Sequence, residues 1–313
     1  MKARKSIYAM LPNLLLIAAF VLGGCAPAAT PTVAPQPTAA PAAVQTVAPT
    51  TASAAFDIKA VLTKYISSLP DGFGTIAPAA LKDQMATAKL FLIDVRDAKS
   101  VADNGYIEGA VNIPIRTLTQ NLDKLPAKDQ PIVTYCGIGH LGAIAMMTLQ
   151  LLGYTHVKSL VGGFSAWKAA KLPVVTGTPA APTAGTKPAV DKDLLAALDK
   201  YLTTIPKDYG IITPAALNAQ ITTAKPFLVD VRDASAVTSN GMIADAVNIP
   251  IRTTFTDFAK LPQDKSAAIV TYCGVGHLGA MEMMTLQLLG YTNVKSLLGG
   301  FTAWKAANLP VTK

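Results

Sequence analysis

Two cysteines stand where a nucleophile is usually built. The stretch Ile132-Val-Thr-Tyr-Cys136-Gly-Ile-Gly-His140-Leu-Gly142 recurs as Ile269-Val-Thr-Tyr-Cys273-Gly-Val-Gly-His277-Leu-Gly279. Each copy reads as a short β-branched strand, one thiol, a glycine turn, and then a helical pattern from Ala143 to Leu152 or from Ala280 to Leu289. The N–H groups of such a turn and of the first helical turn have no partner inside the helix, so they face outward and hold an anion. A cysteine placed among them is expected to have a lowered pKa and to react as its thiolate. The chemistry this favours is sulfur nucleophilic catalysis.

The elements that must position these thiols are also duplicated. Pro78 recurs as Pro214, 136 residues on, and Cys136 as Cys273, 137 residues on. Ile58, Val61, Leu62, Tyr65, Ile66 and Leu69 have helical spacing, repeated by Leu194, Leu198, Tyr201, Leu202 and Ile205. Pro78 and Pro214 mark first turns of helices. Leu90-Phe-Leu-Ile-Asp94-Val-Arg96-Asp97 and Pro226-Phe-Leu-Val-Asp230-Val-Arg232-Asp233 read as buried parallel strands ending in charge. Further short strands are expected at Ala110–Pro114, Val157–Val161, Ala246–Pro250 and Val294–Leu298. Strands alternating with helices imply an α/β class, with a parallel sheet flanked by helices on both faces, built twice. The boundaries are 56–175 and 191–313, joined by a Pro/Thr/Ala linker at 176–190.

Ahead of the repeats, a basic start and an apolar run from Ile7 to Val21 lead into Leu22-Gly-Gly-Cys25. That end resembles the bacterial lipoprotein processing site, which implies a signal peptide at 1–24 and lipidation of Cys25; an uncleaved membrane anchor is the alternative. Residues 25–55 are almost wholly Ala, Pro, Thr and Val. This is a tether of ~30 Å as a coil or ~90 Å if fully extended as polyproline. The expected location is extracytoplasmic, lipid-anchored to a bacterial membrane on its periplasmic or cell-surface side. Without the three leader cations, 24 basic residues face 19 acidic ones with no cluster, which argues against a nucleic-acid partner. With only three cysteines there is no disulfide framework; a Cys136–Cys273 bridge would need Cα atoms within about 7 Å.

Asp94-Val-Arg96, Gly105-Tyr-Ile-Glu-Gly109-Ala-Val-Asn-Ile-Pro114, Tyr135-Cys136 with its turn, Leu152-Gly-Tyr154 and Gly162-Gly-Phe-Ser-Ala-Trp167, in that order, resemble the rhodanese family. The second copy repeats the set. The resemblance implies two tandem rhodanese-like domains and sulfurtransferase chemistry of the thiosulfate:cyanide type. Cys136 or Cys273 would take the outer sulfur of a donor such as thiosulfate and pass it from a persulfide to cyanide or a thiol. It implies no cofactor and no metal. The loop residues Gly137, Ile138, Gly139, His140, Leu141 and Gly142, with Gly274, Val275, Gly276, His277, Leu278 and Gly279, would bind the donor. The glycines at 137, 139 and 142, and their twins, are expected to let the backbone curl around the sulfur.

Two departures bear on the substrate. Many family members carry an arginine near the end of this loop, where Leu141 and Leu278 stand here, and no Lys or Arg occurs from Gly137 to Val157 or from Gly274 to Val294. Donor binding then falls to backbone N–H groups, to His140 and His277, or to a cation from elsewhere, for which Arg116 and Arg252 are the candidates. The missing arginine counts against the phosphatases of this fold. His140 and His277 either contact the donor or tune the thiolate as imidazolium, or they are solvent-facing loop residues. Asp94 and Asp230 are expected to accept N–H bonds at the strand ends. Arg96 and Arg232 are expected to pair with acids such as Asp97 and Asp233. Trp167 and Trp304 are core anchors. A different class remains open: a non-catalytic carrier or sensor of sulfane sulfur, or a protein-binding module of the cell envelope.

Overall fold

The computed structural model describes residues 56–313. The leader, the tether and Cys25 lie outside them. Among the described residues no helix is long and apolar enough to cross a membrane.

The first domain runs α1 (Ile58–Ser67), β1 (Thr75–Ile76), α2 (Pro78–Thr87), β2 (Phe91–Asp94), α3 (Ala98–Asn104), β3 (Ala110–Asn112), a 3₁₀ segment (Ile115–Lys124), β4 (Ile132–Tyr135), α4 (His140–Leu151), β5 (Val157–Leu160) and α5 (Gly163–Ala169). The second repeats it as α6 (Lys192–Thr204), β6 (Ile211–Ile212), α7 (Pro214–Thr223), β7 (Phe227–Asp230), α8 (Ala234–Asn240), β8 (Val247–Asn248), β9 (Ile269–Tyr272), α9 (His277–Leu288), β10 (Val294–Leu297) and α10 (Gly300–Ala306). The sheets are parallel, in the orders β1-β5-β4-β2-β3 and β6-β10-β9-β7-β8. The strand that delivers each cysteine is therefore central, with every residue of Ile132–Tyr135 and Ile269–Tyr272 buried. A strand covered on both faces is apolar almost throughout, and its one small polar residue, Thr134 or Thr271, satisfies its hydroxyl on Gly142 O at 2.8 Å or Gly279 O at 2.7 Å.

Two differences from the sequence reading follow from length and packing. The edge strands β1 and β6 are two residues long, too short for any periodicity to announce. Helices α4 and α9 begin at His140 and His277, so Leu141 and Gly142 belong to a helical turn and not to a loop.

One face of each sheet has its own core, holding Tyr135, Phe164 and Trp167 in the first domain and Tyr272, Phe301 and Trp304 in the second. The other faces merge. Leu62 and Ile66 of α1, the buried side chains of α4 and α9, and Leu198 and Leu202 of α6 form one continuous apolar cluster. In this cluster α4 packs against α9, α6 lies on the 3₁₀ segment of the first domain, and α1 lies on the Ile251–Thr253 turn of the second. This explains why α4 is apolar all round: it is enclosed between its sheet and the other domain.

Candidate active site

Each thiol sits at the carboxyl end of the central strand, and the chain turns around it. Gly139 and Gly276 adopt φ of 91° and 93°, a left-handed step that aims their N–H groups back at sulfur 3.2 Å away. Around Cys136 the N–H groups of Ile138, Gly142, Gly139 and Leu141 converge. The turn is closed from outside by the next helix: Phe164 N donates to Cys136 O at 2.7 Å and Ser165 N to Gly137 O at 2.9 Å. Gly163 makes this approach possible, since a Cβ there would lie 2.3 Å from Cys136 O. Gly137 and Gly274 have free space where a Cβ would go, so they are not required for the curl as the sequence suggested.

Both cysteines are free and buried. Burial pushes the Cys136 thiol up from its ordinary value, and the four N–H groups pull it back only in part. This corrects the expectation of a lowered pKa: the anion-stabilising ring is present, but desolvation of the charged form outweighs it.

Asp94 and Arg96 support the loop from below. Asp94 Oδ1 accepts from Arg96 N at 3.0 Å and Nε at 2.9 Å, and its Oδ2 takes Nη2. Arg96 Nη2 also donates to Gly105 O at 2.7 Å, and its Cζ lies 4.3 Å from the centre of the Phe164 ring. Arg232 repeats this with Asp230, Gly241 O and Phe301. The arginine partners are thus Asp94 and Asp230, not Asp97 and Asp233. Burial draws the Arg96 guanidinium down, but the Asp94 carboxylate overrides it and holds the group above its ordinary value. Asn112 Nδ2 secures the strand end by donating to Asp94 O and Arg96 O, each at 2.8 Å.

The roof of each site comes from the other domain. A pocket of about 220 Å³ over Cys136 is lined by Arg96, Asp97, Ser100, Ile138, His140 and Leu141, and by Tyr209 and Ile211 from the second domain. Over Cys273 a pocket of about 380 Å³ is lined by Arg232, Asp233, Ala236, Val275, His277 and Leu278, and by Gly72, Phe73, Thr75 and Val161 from the first. His140 Nε2–H donates to Tyr209 O at 2.9 Å, and His277 Nε2–H to Phe73 O at 3.2 Å. Burial lowers both imidazoles to about 4, despite the carbonyl that favours the charged form. They are neutral tethers at pH 7, neither imidazolium nor solvent-facing.

Tyr209 and Phe73 themselves have φ of 55° and 53°, a conformation non-glycine residues rarely hold. The Tyr209 hydroxyl donates to Asp97 Oδ2 at 2.8 Å. Burial, with Asp97 as acceptor, keeps that phenol protonated by pushing its pKa up. Neither aromatic was singled out in the sequence; the available signal was an aromatic flanked by glycine at matching points of the repeats, Gly72-Phe73-Gly74 and Tyr209-Gly210.

Arg116 and Arg252 are not brought to the thiols. Arg116 donates to Thr203 O at 3.1 Å and Pro206 O at 3.0 Å, with Cζ 5.6 Å from the Tyr209 ring centre. Arg252 holds Leu69 O and Pro70 O, with Cζ 4.9 Å from the Phe73 ring. They clamp the partner domain and brace the roof aromatics from behind. The lining Ile138, His140, Leu141, Val275, His277 and Leu278 do reach the pockets, and Gly142 and Gly279 lie in the helical turns beneath.

Comparison with known proteins agrees with this geometry. The family model for the rhodanese-like domain matches residues 77–170 and again 213–307. The chain belongs to the rhodanese-like family. Its two rhodanese-like domains carry one strand-end cysteine each. Among curated relatives, the human thiosulfate:glutathione sulfurtransferase is 29% identical over 109 residues, which is 31% of this chain and 94% of that protein. Thiosulfate sulfurtransferase GlpE of Shewanella oneidensis is 38% identical over 85 residues, 27% of this chain and 82% of that one. Among solved structures, Escherichia coli SseA, described with the 3-mercaptopyruvate sulfotransferases, is 18% identical with a TM-score of 0.36, covering 73% of this chain and 99% of that one. The tandem rhodanese-like domains and sulfurtransferase relatives support sulfurtransferase activity in general.

Proposed function

We propose that this chain is a tandem sulfurtransferase that moves sulfane sulfur through persulfides on Cys136 and Cys273. The observation that carries it is the strand-end thiol beneath a converging ring of N–H groups, present in both domains. The thiolate attacks the outer sulfur of a donor of the thiosulfate class. One S–S bond forms as another breaks, and the electron pair leaves on sulfite. The persulfide anion then sits where the N–H ring stabilises it, until cyanide or a thiolate removes the outer sulfur and restores the cysteine. No cofactor enters these steps.

The test is intact mass of the detergent-solubilised full chain after thiosulfate, before and after cyanide. The expected result is a gain of one sulfur per domain that cyanide reverses. With Cys136→Ser and Cys273→Ser together the gain disappears, and an unchanged gain in that double variant would reject the assignment.

A second reading has its own support. Among the described lining residues the only cations, Arg96 and Arg232, are each paired with a buried carboxylate, Asp94 and Asp230, so the pockets hold no uncompensated positive charge for a dianion. That favours a carrier or sensor of sulfane sulfur, or a binding module of the cell envelope. Thiocyanate production with thiosulfate and cyanide separates the two readings: sustained turnover supports the enzyme, and a single stoichiometric transfer supports the carrier.

The residues before Phe56 add a location to this proposal. Cys25 after Leu22-Gly-Gly would carry the lipid, and the tether would hold the domains on the outer side of a bacterial membrane, as periplasmic or cell-surface protein. Incorporation of a tagged fatty acid, lost in Cys25→Ala, tests it.

A further inference from the structure

The two pockets have the same floor and different roofs. Over Cys136 the lining carries two hydroxyls, Ser100 on the near wall and Tyr209 in the roof, whose one proton goes to Asp97. Over Cys273 the corresponding positions are Phe73 and Ala236, joined by Val275 and Val161. The one hydroxyl there, Thr75 Oγ1, is spent on Gly72 O at 2.7 Å inside its own turn. The carboxylate at each rim is treated differently as well. Tyr209 caps Asp97 with a hydrogen bond at 2.8 Å, whereas Phe73 has no proton to offer Asp233.

An approaching anion therefore meets the Ser100 hydroxyl and a carboxylate whose charge Tyr209 partly offsets at one site. At the other it meets an aromatic face and a carboxylate that the roof does not cap. A bare carboxylate repels a dianion more than a monoanion, and an aromatic roof rewards a substrate with an apolar body.

We propose that the two sites sort sulfur donors, with Tyr209 and Phe73, each supplied by the opposite domain, as the specificity-determining residues. The Cys136 site takes the compact oxyanion donor, and the Cys273 site takes a donor with an apolar organic body. This rests on the sulfurtransferase reading above and deepens it. The chemistry is the same at both: the thiolate bonds to the terminal sulfur, and the electron pair of the broken bond leaves on sulfite from thiosulfate or on a sulfinate from an organic thiosulfonate.

The experiment uses the full chain with one thiol at a time, Cys273→Ser or Cys136→Ser, and two donors, thiosulfate and benzenethiosulfonate. Persulfide is read by intact mass and kcat/KM by release of sulfite or sulfinate. The ratio of kcat/KM for thiosulfate over benzenethiosulfonate is expected to be about tenfold higher at Cys136 than at Cys273, the size of the one hydrogen bond by which Tyr209 caps the Asp97 carboxylate. Tyr209→Phe in the Cys136-only chain should lower the thiosulfate value about tenfold while leaving benzenethiosulfonate within about twofold. Phe73→Tyr in the Cys273-only chain should move the ratio the other way.

Equal ratios at the two sites overturn the proposal while leaving sulfur transfer intact. So does a Tyr209→Phe loss equal for both donors, which would mark the roof as merely structural. No persulfide from either donor at either thiol removes the sulfurtransferase reading itself, and the proposal with it.

Discussion

At the scale of single residues, the thiol and its ring of N–H groups pull in opposite directions. Burial raises Cys136, so at neutral pH most of it is protonated. The rate of Cys136 alkylation by a neutral reagent, in the Cys273→Ser chain, should climb with pH through 9, the ordinary value of a thiol here, rather than level off below it. A plateau near neutrality would mean that the N–H ring outweighs burial after all. Asp94 is fully buried and holds Arg96, itself 7% exposed. Asp94→Asn leaves a guanidinium with half its partners in the interior, and the expected loss is about 3–5 kcal/mol of stability. Chemical unfolding measures it. The motif around Cys136 was legible in the sequence because a β-branched run, a cysteine and a glycine turn are contiguous. The partner of Arg96 was not: Asp94 and Asp97 are both close in sequence, and only the turn held by Asn112 decides between them.

At the scale of elements, the cysteine turn depends on the start of α5. Gly163 has φ of 58° and leaves room for Cys136 O and Gly139 N, so Gly163→Ala forces either the turn or the helix to move. The expected cost is about 1–3 kcal/mol from backbone strain. Persulfide formation should fall at Cys136 more than at Cys273, as read by mass of the two cysteine-bearing peptides. Equal loss at both would mean that the strain spreads through the whole fold. The helices and central strands were legible from apolar spacing. The roof turns were not, because Gly72-Phe73-Gly74 and Asp208-Tyr209-Gly210 carry no periodicity, and their importance comes from the domain they touch rather than the one they belong to.

At the scale of the whole molecule, α4 and α9 join the two domains of the described residues through one apolar core. Calorimetry should give a single cooperative transition, and two separated transitions would show that the shared cluster contributes little. The pH dependence of that transition has opposing contributions. His140 and His277, lowered to about 4, take up protons only on unfolding between there and 6.5, so stability is lost as pH falls through that window.

Glu282 works the other way. It lies fully buried in α9, accepts a hydrogen bond from Thr254 at 2.9 Å, and is raised to about 7 by burial. Its proton is held by the folded state and released on unfolding, so its contribution is present below 4.5 and lost as pH rises to 7. Glu282→Gln should raise the melting temperature at pH 8, make no difference below pH 4.5, and steepen the loss between 6.5 and 4.5. A variant less stable than the parent at pH 8 would show that the charged carboxylate is accommodated. The first domain has Ala145 and Leu118 at the matching places, so this polar pair belongs to one domain alone.

The sequence by itself determined the fold class, the duplication and the two strand-end thiols, because strands, helices and the glycine turn are each specified by residues near one another in the chain. Tertiary structure alone decided what His140, His277, Arg116 and Arg252 do. All four reach carbonyls of the other domain, between 69 and 204 residues away in sequence. It also decided that each pocket is closed by its neighbour, and that the roof aromatic is a phenol over one thiol and a phenyl over the other. Such contacts arise when apolar faces of two domains merge, and that docking fixes register between segments that share no local pattern. A repeat written nearly twice in sequence thereby becomes two pockets that are alike in thiol and unlike in roof.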